Sequence, residues 1–292
     1  EMFGCDCCSL SSFVYLIGLV TIARKVVPFL VKKLKEEKTL ELQEKNYKKD
    51  VVYLYQLNGT PTASSTSPYC IKVEAFCRLH EIKFERRNTL TARGQNDLLP
   101  FIELNGEQYS DSQIIIRRLT QIFKLKAYPN EETAAIGHSI DRLLDNHTAN
   151  LMVAAKLPLY GHIVSSMASA NGMPSFLLPI VAAIGGFFLE KKKRVKVETA
   201  IGKFKETEYN ELFRNDLRQL QTILGKKQFL LGEEPTAVDC TAFGQFGSSY
   251  FAVPSARFSL HDLLESSEFV PLKDYLDRVR STFSEINSVT RS

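Results

Sequence analysis

The chain has 292 residues, enough for two domains of ordinary size, and its 44% hydrophobic and 24% charged residues are typical of a globular protein with a core. A formal charge of +4 is too small to indicate nucleic acid, and no stretch interleaves basic and aromatic residues as a single-strand binder does, so nucleic acid is excluded as a partner. Six cysteines, three of them within the first eight residues, do not form the pattern of a disulfide-stapled domain and predict a reducing compartment for the main body.

The N-terminal segment carries an uncharged run of 17 residues, 7–23, which is at the short end of what a membrane-spanning helix requires. Cations follow this run, beginning with Arg24 and Lys25. By the positive-inside rule, this order predicts an uncleaved anchor with the rest of the protein in the cytosol. An interfacial helix and a cleaved signal peptide are the alternatives. Residues 35–50 alternate in charge, so residues 1–50 are predicted to form a hydrophobic anchor and a charged stalk.

The N-terminal cysteines Cys5, Cys7 and Cys8 have three interpretations. Cysteines beside a membrane are candidates for acylation. Three thiolates could also bind a soft metal ion, but they are one ligand short of a closed tetrahedral site. The third interpretation is unmodified thiols. Because the histidines show no ligand spacing either, no metal site is predicted.

A first folded domain is predicted over residues 51–126. It opens with VVYLYQL, a β-branched and aromatic stretch typical of a buried strand. A polar loop leads to a helix that begins near Ser67, and IKFERRNTL predicts a second strand. Two further strands meet at an Asn105–Gly106 turn before a helix near Asp111. The order β-α-β, a link, then β-β-α predicts a thioredoxin-like α/β fold.

A second, all-α domain is predicted over residues 127–292. Residues 131–157 have the pattern of one long helix, and a later helix ends at Gly225 as a C-terminal cap would. Thr236 and Asp239 form a capping-box pair, whose role is folding and not chemistry.

Three short motifs stand at the ends of the predicted elements: Ser67-Pro68-Tyr69-Cys70, Leu99-Pro100 and Asp111-Ser112. Together they resemble the glutathione S-transferase superfamily, which has a thioredoxin-like first domain and a helical second domain. The resemblance implies glutathione as a co-substrate and Ser67 as the catalytic residue that activates its thiol. It also implies that the Leu99 backbone, beside a cis-proline at Pro100, pairs with the tripeptide. Asp111 and Ser112 would hold the γ-glutamyl end.

The stretches SPYCIKVEAFCRL, LPFIELNGEQYSDSQIII and FLLGEEPTAVDCTAFGQF occur in an order and spacing similar to the failed axon connections family, over residues 50–285. That family includes nematode cadmium-responsive proteins and is related to the metaxins. The resemblance implies a membrane-anchored transferase, a lysosomal membrane address and a role in detoxification or cadmium stress. The metaxin relationship implies the alternative, a non-catalytic adaptor that binds proteins or membranes. A homodimer is a further expectation.

Several side chains near the predicted site have two interpretations. Ser67 is suited to stabilising a thiolate at a helix N-terminus, but serine is also among the best N-caps. Cys70 is either a lone redox or metal-binding thiol or a small buried side chain. Tyr53 either donates its hydroxyl to the site or packs within the sheet. The second substrate is expected beside three residues of the long helix: Arg142, Asp145 and Asn146.

Two segments depart from a compact transferase. The loop Asn58–Thr66 is long and is expected to cover or distort the glutathione cleft. Residues 173–189 are uncharged, and five cations fall within the six residues 191–196. Prolines and a glycine pair interrupt the uncharged run, so it predicts a buried or membrane-leaning helical hairpin more than a second span.

Overall fold

The computed structural model describes residues 42–60, 62–89, 91–170, 173–251 and 257–285. The predicted anchor, and the stalk as far as residue 41, lie outside these ranges.

A four-stranded mixed sheet forms the first layer of the fold. Its strands are β1 (Val52–Gln56), β2 (Phe84–Asn88), β3 (Phe101–Leu104) and β4 (Glu107–Ser110), in the spatial order β2-β1-β3-β4. Strands β1 and β2 are parallel, and the other two pairs are antiparallel. Helix α1 (Pro68–Leu79) connects the parallel strands, and α2 (Ser112–Ile122) follows β4. The predicted thioredoxin-like order of elements is confirmed, with turns and no helix described between β2 and β3.

After α2 the described chain is mainly helical. Its α-helices are α3 (Glu131–Arg142), α4 (Ala149–Ala155), α5 (Tyr160–Ala170), α6 (Leu178–Ile201), α7 (Glu206–Leu224), α8 (Ala237–Phe246), α9 (Ser259–Leu264) and α10 (Val270–Glu285). The prediction of one regular helix over residues 131–157 was wrong in its middle, because a π-helical turn, Leu143–Thr148, separates α3 from α4. Helix α7 ends before Gly225, whose φ of +56° favours glycine, as predicted.

One hydrophobic core joins the sheet to the helices. Residues of β1 alternate between the two faces of the sheet: Val52 and Leu54 enter the main core, whereas Tyr53 and Tyr55 pack with Phe101 on the other face. On that second face the Glu103 carboxylate accepts hydrogen bonds from the backbone N–H groups of Gln43, at 2.9 Å, and Glu44, at 2.8 Å. The segment before β1 is therefore held against the sheet.

The predicted capping box fixes the start of α8 in the core. The fully buried Asp239 carboxylate accepts from the Thr236 backbone N–H at 2.8 Å. It also accepts from the Leu230 backbone N–H at 3.0 Å and from the Tyr275 hydroxyl at 2.8 Å. These contacts tie three segments together, which supports the predicted folding role.

Helices α5 and α6 pack against each other as a hairpin. The prediction of a hairpin within residues 173–196 was wrong, because α6 continues without interruption through Gly185 and Gly186, and its partner α5 ends before residue 173. A side chain at Gly186 would place its Cβ 2.5 Å from the Gly161 Cα, so the two helices approach each other too closely for any residue larger than glycine at this position. Among the described residues, no helix combines the length and the apolar character that crossing a bilayer requires.

Candidate functional site

The strand register brings most of the predicted site residues to one end of the sheet. Phe101 lies opposite Tyr55 of β1 and opposite Ser110 of β4. The residues just beyond this row are therefore neighbours: Leu99-Pro100 before β3, and Asp111-Ser112 after β4. The Leu99–Pro100 peptide is cis, with Pro100 buried. The loop that leaves β1 at this end leads to Ser67 at the start of α1.

Ser67 occupies the N-cap position of α1 in an extended conformation, but its side chain makes no capping hydrogen bond. Its backbone N–H donates to the Ser65 hydroxyl at 3.2 Å. The half-buried Ser67 side chain is thus not used as an ordinary cap. It lies at the positive end of the helix dipole, where an anion is stabilised.

Asp111 is the N-cap of α2 and has a φ of +77°, which a residue other than glycine rarely adopts. Its Oδ1 accepts from the backbone N–H groups of Gln113, at 2.9 Å, and Ile114, at 3.4 Å. No hydrogen bond from a described residue ends on Oδ2, and Asp111 is exposed. One carboxylate oxygen at this end of the sheet therefore faces solvent. The neighbouring Ser112 is buried.

Tyr53 does not join this group. Its ring lies on the second sheet face beneath the Arg87 guanidinium, 4.9 Å from the ring centroid. Its hydroxyl accepts a hydrogen bond at 2.9 Å from the backbone N–H of Lys48, which precedes β1, whereas Ser67 follows β1. The interpretation of Tyr53 as a donor to the site is corrected to a packing role, because its buried ring packs on the sheet and its hydroxyl is directed to the segment before β1, whereas the site lies where β1 ends.

The described cysteines are core residues. Cys70, Cys77 and Cys240 are fully buried and free. Burial raises the pKa of the Cys70 thiol, although hydrogen bonding with Ser67 and Ser65 opposes the rise. A thiol that is buried and kept protonated is a poor nucleophile. Cys70 therefore fits the interpretation of a small packed side chain.

The loop Asn58–Thr66 folds back on itself and reaches the helices. The Thr66 backbone N–H donates to the Asn58 carbonyl at 3.2 Å, which closes the base of the loop. The Thr62 hydroxyl donates to the Phe251 carbonyl at 2.7 Å. Phe251 ends a π-helical turn, Gly247–Phe251, after α8. The loop thus bridges the end of β1 to the helical layer beside Ser67.

A buried ion cluster, which the sequence did not reveal, joins α1 to the helical layer. The Lys72 ammonium lies 2.7 Å from Asp141 and 2.6 Å from Asp145. The two side chains Lys72 and Asp145 are each only 3% exposed. Gln245 donates to Asp145 at 2.8 Å, and the Thr241 hydroxyl donates to Asp141. Asp145 is consequently not free to face a second substrate, which corrects that expectation, whereas Arg142 and Asn146 are exposed.

Only one signal in the sequence could have pointed to this cluster. Lys72 lies three residues after Tyr69 and four before Phe76, so it shares their apolar helix face. A lysine on a buried face requires a partner. Asp141 and Asp145 lie 69 and 73 residues after Lys72 in the sequence. No local sequence pattern therefore identifies them as its partners.

Two family models match the chain. The glutathione S-transferase N-terminal domain matches residues 68–160, and the glutathione S-transferase C-terminal domain matches residues 213–279. A β-etherase from Sphingobium sp. strain SYK-6 is similar in structure, with a TM-score of 0.54, 15% identity and coverage of 81% of this chain and 98% of that chain. A glutathione S-transferase of Ceriporiopsis subvermispora in complex with glutathione has a TM-score of 0.52, 16% identity and coverage of 83% and 100%. The fold is therefore that of a glutathione S-transferase-like protein.

Failed axon connections from Drosophila melanogaster is 32% identical over 232 residues, which is 75% of this chain and 55% of that protein. The chain belongs to the failed axon connections family of the glutathione S-transferase and metaxin superfamily. It spans just over half the length of this relative.

Proposed function

We propose that the protein binds glutathione at the sheet end formed by Ser67, Leu99-Pro100 and Asp111-Ser112. The observation that supports the proposal is the strand register, which puts Leu99-Pro100 and Asp111-Ser112 side by side at the end of the sheet from which β1 leads on to Ser67. The backbone of Asp111, with its φ of +77°, adds support, because such conformations concentrate at functional sites. The structural relative from Ceriporiopsis subvermispora, in complex with glutathione, has the same fold.

Each group has a distinct role in this proposal. The free Oδ2 of Asp111 pairs with the ammonium of the γ-glutamyl end, and Ser112 hydrogen-bonds its carboxylate. The Leu99 backbone pairs with the tripeptide. The Ser67 hydroxyl donates to the thiolate, which lowers the pKa of the glutathione thiol by favouring its charged form. The thiol proton leaves to solvent, the thiolate forms a carbon–sulfur bond with an electrophile, and the leaving group departs with the electron pair.

Calorimetric titration of glutathione into the full chain tests the binding proposal. Asp111→Asn is the informative variant, because asparagine keeps the cap and tolerates positive φ while it removes the charge. We expect the affinity to fall by about fivefold, the effect of losing an ion pair of about 1 kcal/mol. Asp262→Asn is the matched control, since its carboxylate is 78% exposed in α9. No heat at millimolar glutathione would contradict the proposal.

A non-catalytic adaptor is the second candidate, and the loop Asn58–Thr66 favours it. The Thr62 hydroxyl donates to the Phe251 carbonyl, and in this second proposal the contact ties the loop to the helices and restricts the entry of a second substrate. A substrate screen separates the candidates. If the protein is a transferase, it conjugates an electrophile to glutathione, and Ser67→Ala slows the conjugation while glutathione still binds. If the protein is an adaptor, it binds its partner protein or membrane and conjugates none of the electrophiles.

We also propose that residues 7–23 anchor the protein in a membrane, with the lysosomal membrane as the compartment and the folded part in the cytosol. The uncharged run and the cations that follow it support this topology. An epitope placed after residue 41 is expected to be accessible when only the plasma membrane is permeabilised. Access only after all membranes are opened would contradict it. A role in cadmium stress rests on the family relationship, and unchanged cadmium tolerance in a deletion strain would contradict that role.

A further inference from the structure

Helix α6 carries a face of large apolar side chains that no described residue covers. Ile180, Ile184, Phe187 and Phe188 are 55%, 57%, 60% and 66% exposed, and Phe176 just before the helix is 74% exposed. The four helical positions share one face by their spacing. We name this set of five residues the α6 apolar face. A contiguous apolar surface of this kind is typical of an interaction site.

Packing within the hairpin explains why these side chains point outward. Gly186 is buried against Gly161, and a Cβ at Gly185 would lie 3.0 Å from the Val164 side chain. The side of α6 that meets α5 is therefore closed by glycines. The neighbouring aromatic residues Phe187 and Phe188 project away from α5 and contact each other, with ring centroids 5.6 Å apart.

A basic segment, residues 191–196, follows the α6 apolar face within one helical turn. It contains Lys191, Lys192, Lys193, Arg194 and Lys196, all of them exposed except the half-buried Lys193. Arg194 pairs with Glu190 at 2.6 Å, whereas the structure gives the four lysines no ion pair with a described residue. Burial lowers the pKa of Lys193, and the charges of Lys196 and Lys192 lower it further. The segment is thus a concentration of uncompensated positive charge.

We propose that the α6 apolar face and the basic segment together bind the surface of an anionic membrane. In this arrangement the apolar first half of α6 enters the lipid interface and the lysines of the second half meet anionic headgroups. The charge selects this occupant, because a purely apolar protein partner would leave the lysines uncompensated. The contact is peripheral, since α6 does not have the apolar length of a spanning helix.

The absence of tryptophan from the chain permits a local readout. Phe188→Trp in the full chain places a single reporter on the α6 apolar face, and Tyr47→Trp, at a residue that is 44% exposed, is the control. Residues 7–23 are the same in both variants, so attachment through them affects both equally. We expect brominated acyl chains in phosphatidylcholine–phosphatidylserine vesicles to quench the tryptophan emission of the Phe188→Trp variant and not that of the Tyr47→Trp variant. Vesicles of phosphatidylcholine alone should quench the Phe188→Trp variant much less.

Charge variants complete the test. Lys191→Gln with Lys192→Gln, in the Phe188→Trp background, should lower the ratio of docked to undocked α6 about 30-fold, from about 1 kcal/mol for each lysine at an anionic surface. Lys45→Gln with Lys49→Gln removes the same charge from exposed positions before β1 and should leave the ratio unchanged. Equal quenching at both reporters, or equal quenching on neutral and anionic vesicles, would overturn the proposal. Iodide quenching of the Phe188→Trp variant without vesicles is a further check. If iodide does not quench the tryptophan, another segment or a second copy of the chain already covers the α6 apolar face, and the proposal is overturned.

Discussion

Lys72 is the residue at which a single substitution tests how the two layers are joined. Lys72→Met keeps most of the apolar stem of the side chain and removes the ammonium that lies between Asp141 and Asp145. Removing one partner of a buried ion pair costs about 3–5 kcal/mol, because the remaining charge is left in a poorly solvated site. Gln245 and Thr241 still donate to the two carboxylates, so we expect the lower end, about 3 kcal/mol.

The assay is urea unfolding of the full chain, followed by circular dichroism. The variant Lys72→Met is compared with the triple variant Lys72→Met, Asp141→Asn, Asp145→Asn, in which no buried charge remains unpaired. The triple variant should recover much of the lost stability, since neutral replacement of a buried ion cluster is often tolerated. A loss below about 1 kcal/mol for Lys72→Met would show that the Lys72 cluster does not behave as a buried ion pair, because that is the value of an exposed ion pair.

Three further outcomes are expected. Gly186→Ala should destabilise the protein by about 1–3 kcal/mol, because its Cβ would meet the Gly161 backbone at 2.5 Å. Thermal unfolding should show a smaller loss of stability for Gly185→Ala, because that Cβ would meet only a side chain. Burial raises the pKa of Glu74, but Arg86 and Arg78 outweigh it and lower the pKa below the ordinary 4.5. The stabilisation is therefore present above the unfolded-state pKa and is lost as the pH falls through the folded-state value. Glu74→Gln should flatten the acid limb of the stability curve, and an unchanged limb would contradict the assignment. The last outcome concerns the three buried thiols, in a variant with Cys5, Cys7 and Cys8 replaced by serine. A maleimide should label no thiol until urea is added, because Cys70, Cys77 and Cys240 are fully buried. Labelling of the folded protein would contradict their core positions.

The thioredoxin-like layer was predictable from the sequence because its signals are local. The strand VVYLYQL, the Asn105–Gly106 turn and the helix start at Asp111 each depend on neighbouring residues, and the structure has an element at each. The site positions Leu99-Pro100 and Asp111-Ser112 came from resemblance, and the strand register then brings them together.

The features that the sequence did not reveal depend on distant partners. The face of the sheet on which Tyr53 lies is set by register, and one residue of shift reverses it. The π-helical turn Leu143–Thr148 was not predicted, because it is a local widening of a single turn and a 3.6-residue apolar spacing does not detect it. The partners of Lys72 come from the other layer, so only the assembled fold defines them.

Hydrogen–deuterium exchange of the full chain with and without glutathione tests whether glutathione binds at this end of the sheet. We expect glutathione to slow exchange in three segments, around Ser67, around Phe101 and at the start of α2, while exchange in α6 and α10 is unchanged. Asp111→Asn should weaken the protection in all three segments together, since one ligand orders them. Protection confined to other parts of the chain, or none at saturating glutathione, would contradict the assignment of this sheet end as a glutathione site.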